Sequence, residues 1–236
     1  MIDSSAYLAL LWQPIRWVIP FVLIVGGLRL ALKNWLSGKF GEMEVANAIH
    51  SVTPDSLHDV VLLDGRGGLT QIDHLALTSQ GVIVVETKAW SGWIFGRARD
   101  EYWTQKFYRQ SFRVRNPLRQ NYGHVLSVKR LVDGAIPVVG VVVMAGDAHF
   151  PKRMPEGVFS INSFSDRFLE HHDPLKVPNE WRDSWQRLCG QVRCDKQARK
   201  AHRQLMAARY GADFRPNLGA AMIVAGLLLA GWFWVT

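Results

Sequence analysis

The feature that most constrains this chain is an apolar run near its C-terminal end. Residues 218–235, LGAAMIVAGLLLAGWFWV, contain no charged side chain. A helix needs about 20 apolar residues to cross the hydrocarbon core of a bilayer. The core helix of a soluble protein is the alternative, but the run has no polar face to turn toward water. It therefore predicts a transmembrane helix over 218–235, and Trp232 and Trp234 suit an interfacial aromatic belt.

A second apolar run lies near the other end of the chain. Residues 17–28, WVIPFVLIVGGL, are uncharged, and 30–32 extend the run if the Arg29 side chain reaches toward the membrane surface. A secretory signal peptide is the alternative, but no basic cluster precedes the run and no small-residue cleavage site follows it. We therefore expect a first transmembrane helix over 14–32.

Basic residues lie mainly between the two expected membrane helices. Lys33 and Lys39 follow the first helix, and a basic stretch over 196–215 precedes the second. Positive residues next to membrane spans favour the cytoplasmic side. We therefore expect a multi-pass protein of the inner (cytoplasmic) membrane, in contact with the lipid bilayer, whose residues 33–215 form a soluble part that faces the cytoplasm.

The segment between the apolar runs predicts one α/β domain over 38–175, followed by a basic helical region over 176–215. A helical pattern begins at Gly41 and stops at Pro54. Short strand patterns come next, then a helix from Pro117 and the apolar strand pattern IPVVGVVVMAG. Residues 100–116 fit a loop or an irregular strand. This order of elements indicates a mixed sheet with helices around it.

Charged residues interrupt two strand patterns that otherwise look buried. Asp73 lies in LTQIDHLALT, and Glu86 and Lys88 lie in GVIVVETKAW. Because side chains alternate along strands, Asp73 shares a face with Leu75, and in a hairpin it can lie beside Glu86. Two ionised carboxylates in a partly dry site cost several kcal/mol, on the order-of-magnitude scale for buried ions. Mg²⁺ (or Mn²⁺) removes that conflict, so the pattern predicts a metal site at Asp73 and Glu86.

Two further charges are expected to assist these carboxylates. The Lys88 ammonium can orient an attacking water or offset charge near a phosphate. Glu42 falls on the apolar side of its helix, where it can support the water shell of the metal. The structural alternative is an ordinary ion pair between Asp73 and Lys88, with Glu86 held by an arginine. His74 fits a packed histidine better than a catalytic one.

Longer stretches than these residues resemble a known family. FGEMEVANAI, TQIDHLALTSQGVIVVETKAWSGWIFG, YWTQ and NPLRQNYGHVLSVKRLV follow one another from about residue 38 to 131, and they resemble the nuclease-related domain, NERD. That domain resembles the wider PD-(D/E)XK nuclease superfamily. The resemblance implies a restriction-endonuclease-like core, with a mixed central sheet flanked by helices, and magnesium-dependent hydrolysis of phosphodiester bonds.

The resemblance also implies residue roles. By position it makes Asp73 and Glu86 the metal ligands, Lys88 the lysine of the E-x-K motif and Glu42 the glutamate of the first helix. The superfamily's proline before the aspartate is absent, because Ile72 stands there. The resemblance covers neither the apolar runs nor the basic region.

Five side chains are expected to contact substrate. Two are glutamines at polar positions typical of the family. The others come from a stretch in which basic residues alternate with aromatic ones, which suits phosphate contacts and base stacking. Packing in the core is the alternative for the tryptophan. The five are Gln71, Gln120, Trp103, Arg109 and Arg113.

Three functions follow from these patterns. The first is a membrane-anchored, metal-dependent nuclease that acts on nucleic acid, DNA first, on the cytoplasmic side. The second is a membrane-tethered module that binds nucleic acid or a protein without cutting; the basic region can hold nucleic acid, bind anionic lipid or mark the cytoplasmic side. The third is a structural homo-oligomer held by small residues in the second apolar run. These are Gly219, Ala220, Ala225, Gly226, Ala230 and Gly231.

Overall fold

The computed structural model describes residues 13–65, 67–132, 134, 136–211 and 215–235. The chain divides into two units. One draws on Met1–Ser37 and Gly211–Thr236, and the other is Gly38–Tyr210.

The main elements follow the predicted order of a helix, a series of strands, a helix, a strand and further helices. The α-helices are α1 (Val18–His50), α2 (Pro117–Lys129), α3 (Ile161–Phe164), α4 (Asn179–Cys189), α5 (Lys196–Tyr210) and α6 (Arg215–Val235). The strands are β1 (Ser56–Leu63), β2 (Leu69–Thr78), β3 (Gly81–Lys88), β4 (Gly92–Phe95), β5 (Tyr102–Phe107), β6 (Gln110–Arg115), β7 (Val138–Met144), β8 (Ala148–His149) and β9 (Val158–Ser160).

Helix α1 joins two helices that the sequence pattern separates. We expected one helix to end at Leu32 and another to begin at Gly41, whereas a single helix runs over Val18–His50. The residues between contain no proline. A glycine inside a helix costs only about 1 kcal/mol relative to alanine, so Gly38 does not stop it. The expectation of two separate helices is therefore corrected.

In the first unit, α1 and α6 approach each other through glycines. A Cβ atom at Gly27 would lie 2.6 Å from the carbonyl oxygen of Gly219, and a Cβ at Gly226 would lie 2.9 Å from the oxygen of Pro20. Small residues permit this close packing of helix backbones in membranes. Gly219 and Gly226 were candidates for contacts between copies of the chain, and here they pack within one chain.

The outward surface of these two helices is apolar. Phe21 is 66% exposed, Leu228 70% and Trp234 83%. The helices Gln13–His50 and Pro216–Val235 have windows of mean hydropathy 1.9 and 2.1, and both are long and apolar enough to span a membrane.

The glycine contact gives a testable prediction. Gly27→Leu is expected to destabilise the pairing of α1 and α6, because the new side chain needs space that the Gly219 backbone occupies. Forced overpacking typically costs about 1–3 kcal/mol. The measurement is thermal unfolding of the full chain in detergent. Gly231→Leu is the matched control, since no described atom lies within 4 Å of a Cβ there. Equal melting temperatures for the two variants would contradict this packing.

The second unit is built on a five-stranded mixed sheet in the order β1-β2-β3-β7-β9. The first three strands pair antiparallel, and β7 and β9 add in parallel. On one face Val84 packs with Val125 of α2 and Leu188 of α4. On the other, Val85 packs with Ile49 of α1. Helices on both faces explain why the central strands are apolar throughout, and the predicted mixed α/β fold is confirmed.

A smaller sheet in the order β6-β5-β4-β8 stands beside the first. Residues 100–116, for which the sequence fits a loop or an irregular strand, contain the whole β5–β6 hairpin. Trp103 of β5 is 1% exposed and packs with Ile94 and Met144. Its indole Nε1 donates a hydrogen bond of 2.9 Å to the carbonyl of Arg97. Trp103 thus belongs to the core of this sheet rather than to its surface.

Candidate functional site

The two acids of the strand patterns meet where β2 pairs with β3. In this antiparallel ladder Leu75 lies opposite Val84 and His74 opposite Val85, so Asp73 and Glu86 are the next residues beyond the same end of the paired segment. The negative charge of Glu86 acts on the pKa of Asp73. The structure therefore brings these two carboxyl groups together at one end of the hairpin.

The alternation of β2 breaks at Asp73. Ile72 and Leu75 pack in the same hydrophobic cluster, although strict alternation puts residues three apart on opposite faces. Across the ladder, Asp59 has a φ of 53°, which is uncommon for a residue other than glycine. The Asp73 Oδ2 atom accepts a 2.8 Å hydrogen bond from the backbone N–H of Thr87. The expectation that Asp73 and Leu75 follow a regular alternation is corrected by this local irregularity.

Glu86 is the most enclosed of the charged groups. Its side chain is 3% exposed, and its Oε1 atom accepts hydrogen bonds from Lys88 Nζ at 2.5 Å and Gln120 Nε2 at 2.7 Å. Burial by itself raises the pKa of Glu86, but the Lys88 ammonium and the nearby His124 ring outweigh it and hold that pKa below its usual range. Glu86 is therefore a carboxylate at neutral pH.

Asp73 has the opposite electrostatic setting. Burial, followed by the negative charge of Glu86, raises the pKa of Asp73 to about 8, and the charge of Lys88 only partly counters them. Without a cation, Asp73 therefore keeps its proton at neutral pH. Two neighbouring carboxyl groups whose pKa values are pushed apart in this way are typical of functional sites.

Lys88 stays charged beside them. Burial lowers the pKa of Lys88, but the negative charges of Glu86, Asp73 and Glu42 raise that pKa by more than burial lowers it. The pKa of Lys88 therefore lies above its usual value. Besides Glu86, its Nζ atom donates to Gln120 Oε1 at 3.2 Å. A permanently protonated ammonium donates hydrogen bonds and offsets negative charge, but it does not take up a proton.

Glu42 lies at the border of the site. Its side chain is 32% exposed and forms a 2.6 Å ion pair with Lys39, one turn earlier on α1. Its negative charge helps to raise the pKa values of Asp73 and Lys88, which shows that its field reaches the acids. Glu42 is thus near enough to act on the centre through its charge.

One residue of this site, His124, escaped the sequence reasoning. His124 of α2 is 6% exposed; its Nε2 atom lies 3.2 Å from Glu86 Oε2, and its Nδ1 atom lies 2.8 Å from Thr70 Oγ1. The signal was available, because Gln120 and His124 are four apart on one predicted helix and therefore share a face.

Helix α2 is fixed over Glu86 by two asparagines. Asn116 caps the helix by accepting from Leu118 N–H at 2.9 Å. Asn121 is 2% exposed and donates to the backbone carbonyls of Val84 at 3.0 Å and Val141 at 2.8 Å. These two bonds tie α2 to β3 and β7, so the helix presents Gln120 and His124 to the acid.

The five expected substrate contacts fall in different places. Gln120 touches Glu86 and Lys88 directly. Gln71 donates instead to Asp59, a carboxylate that also pairs with Arg199 of α5 at 3.2 Å. The remaining three lie in or beside the β5–β6 hairpin, two of them exposed and one in the core. The exposed two are Arg109 and Arg113, and the buried one is Trp103.

The residues at this centre fit a divalent cation. In the described ranges, no group of three or more His, Cys, Asp or Glu side chains is placed to hold a metal. Mg²⁺, however, is usually held by one or two carboxylates and completes its shell with water and phosphate oxygens. Glu86 Oε2 is buried and has His124 Nε2 3.2 Å away, without an aligned hydrogen bond from the described residues. A buried carboxylate oxygen next to the proton-holding Asp73 suits a positively charged ligand.

Comparison with known proteins adds the family context. A family model described as the nuclease-related domain matches residues 37–145. The chain is also 36% identical, over 149 residues, to an uncharacterized protein of Bacillus anthracis; the match covers 62% of this chain and 68% of that relative. No solved structure matches the chain significantly. The segment matched by the family model contains Glu42, Asp73, Glu86, Lys88 and all of α2.

Proposed function

This chain belongs to the nuclease-related domain family, and on that premise we propose that it is a membrane-anchored nuclease that uses a divalent cation to hydrolyse phosphodiester bonds. One observation carries the proposal. The carboxyl groups of Asp73 and Glu86 lie close together in a largely buried site, and the Lys88 ammonium lies 2.5 Å from Glu86 Oε1. That arrangement suits metal-assisted attack on a phosphate.

Asp73 and Glu86 are the groups that would hold Mg²⁺ (or Mn²⁺). When bound, the cation supplies positive charge that offsets the charge developing on the phosphate and makes water a better nucleophile. Asp73 would hold the cation as a carboxylate, because metal ligands must be deprotonated.

Lys88 orients the attacking water in this proposal. Its Nζ atom is already held by Glu86 and Gln120, so its remaining proton has a defined direction. Because Lys88 is charged, it can also bind a phosphate oxygen as negative charge increases there. Gln120 and His124 position Glu86, and Glu42 supports the water around the cation from the border of the site.

The two apolar helices serve as the membrane anchor in this proposal. Basic residues at 33–39 and 196–215 place the nuclease unit in the cytoplasm by the positive-inside rule, with the anchor in the inner membrane. Cys194 lies in the basic region and is exposed. In a Cys189→Ser variant, an impermeant maleimide is expected to label Cys194 only after the cell membrane is opened. Labelling in intact protoplasts would contradict the orientation.

The cleavage assay uses the full chain in detergent with plasmid DNA, single-stranded DNA and RNA. Cleavage of at least one substrate is expected with Mg²⁺ or Mn²⁺ and not with EDTA. DNA is assayed first, and RNA is included because Arg109, Arg113 and a net charge of +8 suit any polyanion without selecting its sugar. Salt-sensitive binding without cleavage, unchanged in Asp73→Asn, would instead support the tethering function.

Gln120→Leu tests the support around the acids. The variant loses the bonds to Glu86 and Lys88, so cleavage is expected to fall by roughly 10–100-fold, as for other residues that hold a metal ligand in place. Initial rates at saturating Mg²⁺ measure the effect. Gln80→Leu is the matched control, because Gln80 lies in the turn at the other end of the same hairpin and bonds to Arg167. Equal cleavage rates for both variants would show that Gln120 does not support the acids in cleavage.

A further inference from the structure

The smaller sheet turns several aromatic rings outward. In β4, Ile94 is buried, whereas Trp93 is 50% exposed and Phe95 42%. Tyr102 of β5 is 38% exposed and lies on the same face, because Phe95 pairs with Thr104. Rings at alternate strand positions stand about 6.6 Å apart along the strand. A flat sheet that displays rings at this spacing offers several stacking positions.

Positive charges alternate with these rings. The sequences of β4, β5 and β6 contain no Asp or Glu. Lys106 lies opposite Trp93 in the ladder, and the Arg113 guanidinium lies 3.9 Å from the ring centre of Tyr102. The face is therefore complementary to a ligand that carries both planar rings and negative charge.

Tyr108 extends the face at the tip of the hairpin. Phe107 pairs with Gln110, so Tyr108 and Arg109 form a two-residue turn. Tyr108 has a φ of 48° and is 100% exposed. Glycine suits such a turn position better, so the tyrosine is strained and its ring contributes little packing to the fold. With Trp93 and Lys106 it lines an open cleft of about 520 Å³.

The sheet is attached at the end of the site strand. β4 begins at Gly92, shortly after Lys88, and Gln105 of β5 donates to the carbonyl of Ser91 at 2.8 Å. β8 pairs with β4 and follows β7, whose Met144 lies opposite Lys88. The smaller sheet therefore follows directly along the chain from the strand end that carries Lys88.

We propose that this aromatic face, formed by Trp93, Phe95, Tyr102, Lys106, Tyr108 and Arg113, binds the unpaired bases and phosphates of single-stranded nucleic acid. Bases in a duplex hide their faces in the stack, whereas unpaired bases can lie on exposed rings. The role of the face in presenting substrate rests on the proposed nuclease function. Its binding of single strands can be measured without any cleavage.

The test is binding of fluorescein-labelled oligo(dT) to the full chain in zwitterionic nanodiscs, in EDTA, followed by anisotropy. Trp93→Leu/Phe95→Leu keeps apolar area but loses stacking, and its affinity is expected to fall at least about tenfold. Tyr108→Gly is expected to weaken binding while the melting temperature stays equal or rises, since glycine relieves the turn. Phe112→Leu, on the opposite face of the hairpin, is the matched control and is expected to bind like the wild type.

Each outcome has one meaning. Wild-type affinity in the Trp93/Phe95 and Tyr108 variants overturns the aromatic face, even if the protein cleaves DNA. Loss of binding in those variants, in a protein that never cleaves, supports the face and rejects the nuclease. A separate measurement tests whether this face touches the membrane. In a variant that lacks both native cysteines (Cys189→Ser/Cys194→Ser), Tyr108→Cys provides one site for a fluorescent dye. Nitroxide-labelled lipids are expected not to quench that dye. Strong quenching would make the face a membrane contact and overturn the proposal.

Discussion

Asp73→Asn is expected to lower phosphodiester cleavage by roughly a hundredfold to a thousandfold while it stabilises the metal-free protein at pH 8. The loss of activity follows from removing one of the two proposed metal ligands and its charge, in the range seen when a preorganised electrostatic group is removed from other enzymes. The simultaneous gain in stability distinguishes this role, because replacing a merely structural aspartate would lower both the cleavage rate and the folding stability.

The gain in stability follows from the pKa of Asp73. Burial and the charge of Glu86 raise this pKa from 3.8 to about 8 in the folded protein. A raised pKa means that the folded state binds the proton more tightly than the unfolded chain does. The stabilisation is complete below about pH 4 and is lost as the pH rises through 8. Asparagine does not titrate. The folding stability of Asp73→Asn relative to the wild type therefore rises across this pH window, by on the order of a few kcal/mol.

Thermal unfolding in EDTA at pH 5 and pH 8 measures this effect. The melting temperature of Asp73→Asn is expected to exceed that of the wild type at pH 8, by more than it does at pH 5. Asp166→Asn is the matched control, because Asp166 is exposed and outside the site. An Asp73→Asn protein that is less stable than the wild type at pH 8, or that cleaves normally, would contradict the account.

Glu86→Ala is expected to cost about 3–5 kcal/mol of folding stability and to abolish cleavage. Removing one partner of a buried ion pair leaves the other charge uncompensated. Lys88 would keep its ammonium in a site where its side chain is only 20% exposed. His124 and Gln120 would also lose the group they contact.

Two comparisons separate this effect from an ordinary ion-pair loss. Glu42→Ala removes the exposed partner of Lys39 and is expected to cost no more than about 1 kcal/mol. Glu86→Gln/Lys88→Met removes both charges, so it is expected to recover much of the stability lost in Glu86→Ala but none of the activity. Urea unfolding at pH 7 gives all three free energies. A Glu86→Ala cost as small as that of Glu42→Ala would show that Glu86 is not a strongly coupled buried charge.

The sequence predicted the fold and the meeting of the acids because both depend on local pattern. Strand patterns, a short turn between β2 and β3, and an apolar β7 are enough to define a mixed sheet. The pairing of Glu86 with Lys88 rather than with an arginine needed coordinates, since residues two apart on a strand share a face but need not touch. The proximity of Asp73 to Glu86 was anticipated, whereas their unequal protonation depends on burial that a sequence does not show.

Other features came from interactions distant in the chain. The irregularity at Asp73 faces Asp59 of β1 across the ladder, and His124 reaches Glu86 from α2, which Asn121 ties to β3 and β7. The burial of Trp103 depends on Val142 and Met144 of β7, which pack against the smaller sheet. The exposed rings of Trp93 and Phe95 lay in a strand pattern that gave no sign of which face would stay uncovered.

Anomalous diffraction from crystals of the full chain soaked in Mn²⁺ shows whether Asp73 and Glu86 share a cation. One strong anomalous peak is expected within bonding distance of both residues, and it is expected to disappear in Asp73→Asn crystals soaked in the same way. Well-ordered density for both carboxyl groups with no Mn²⁺ peak between them, at pH 8 and millimolar Mn²⁺, would contradict the account.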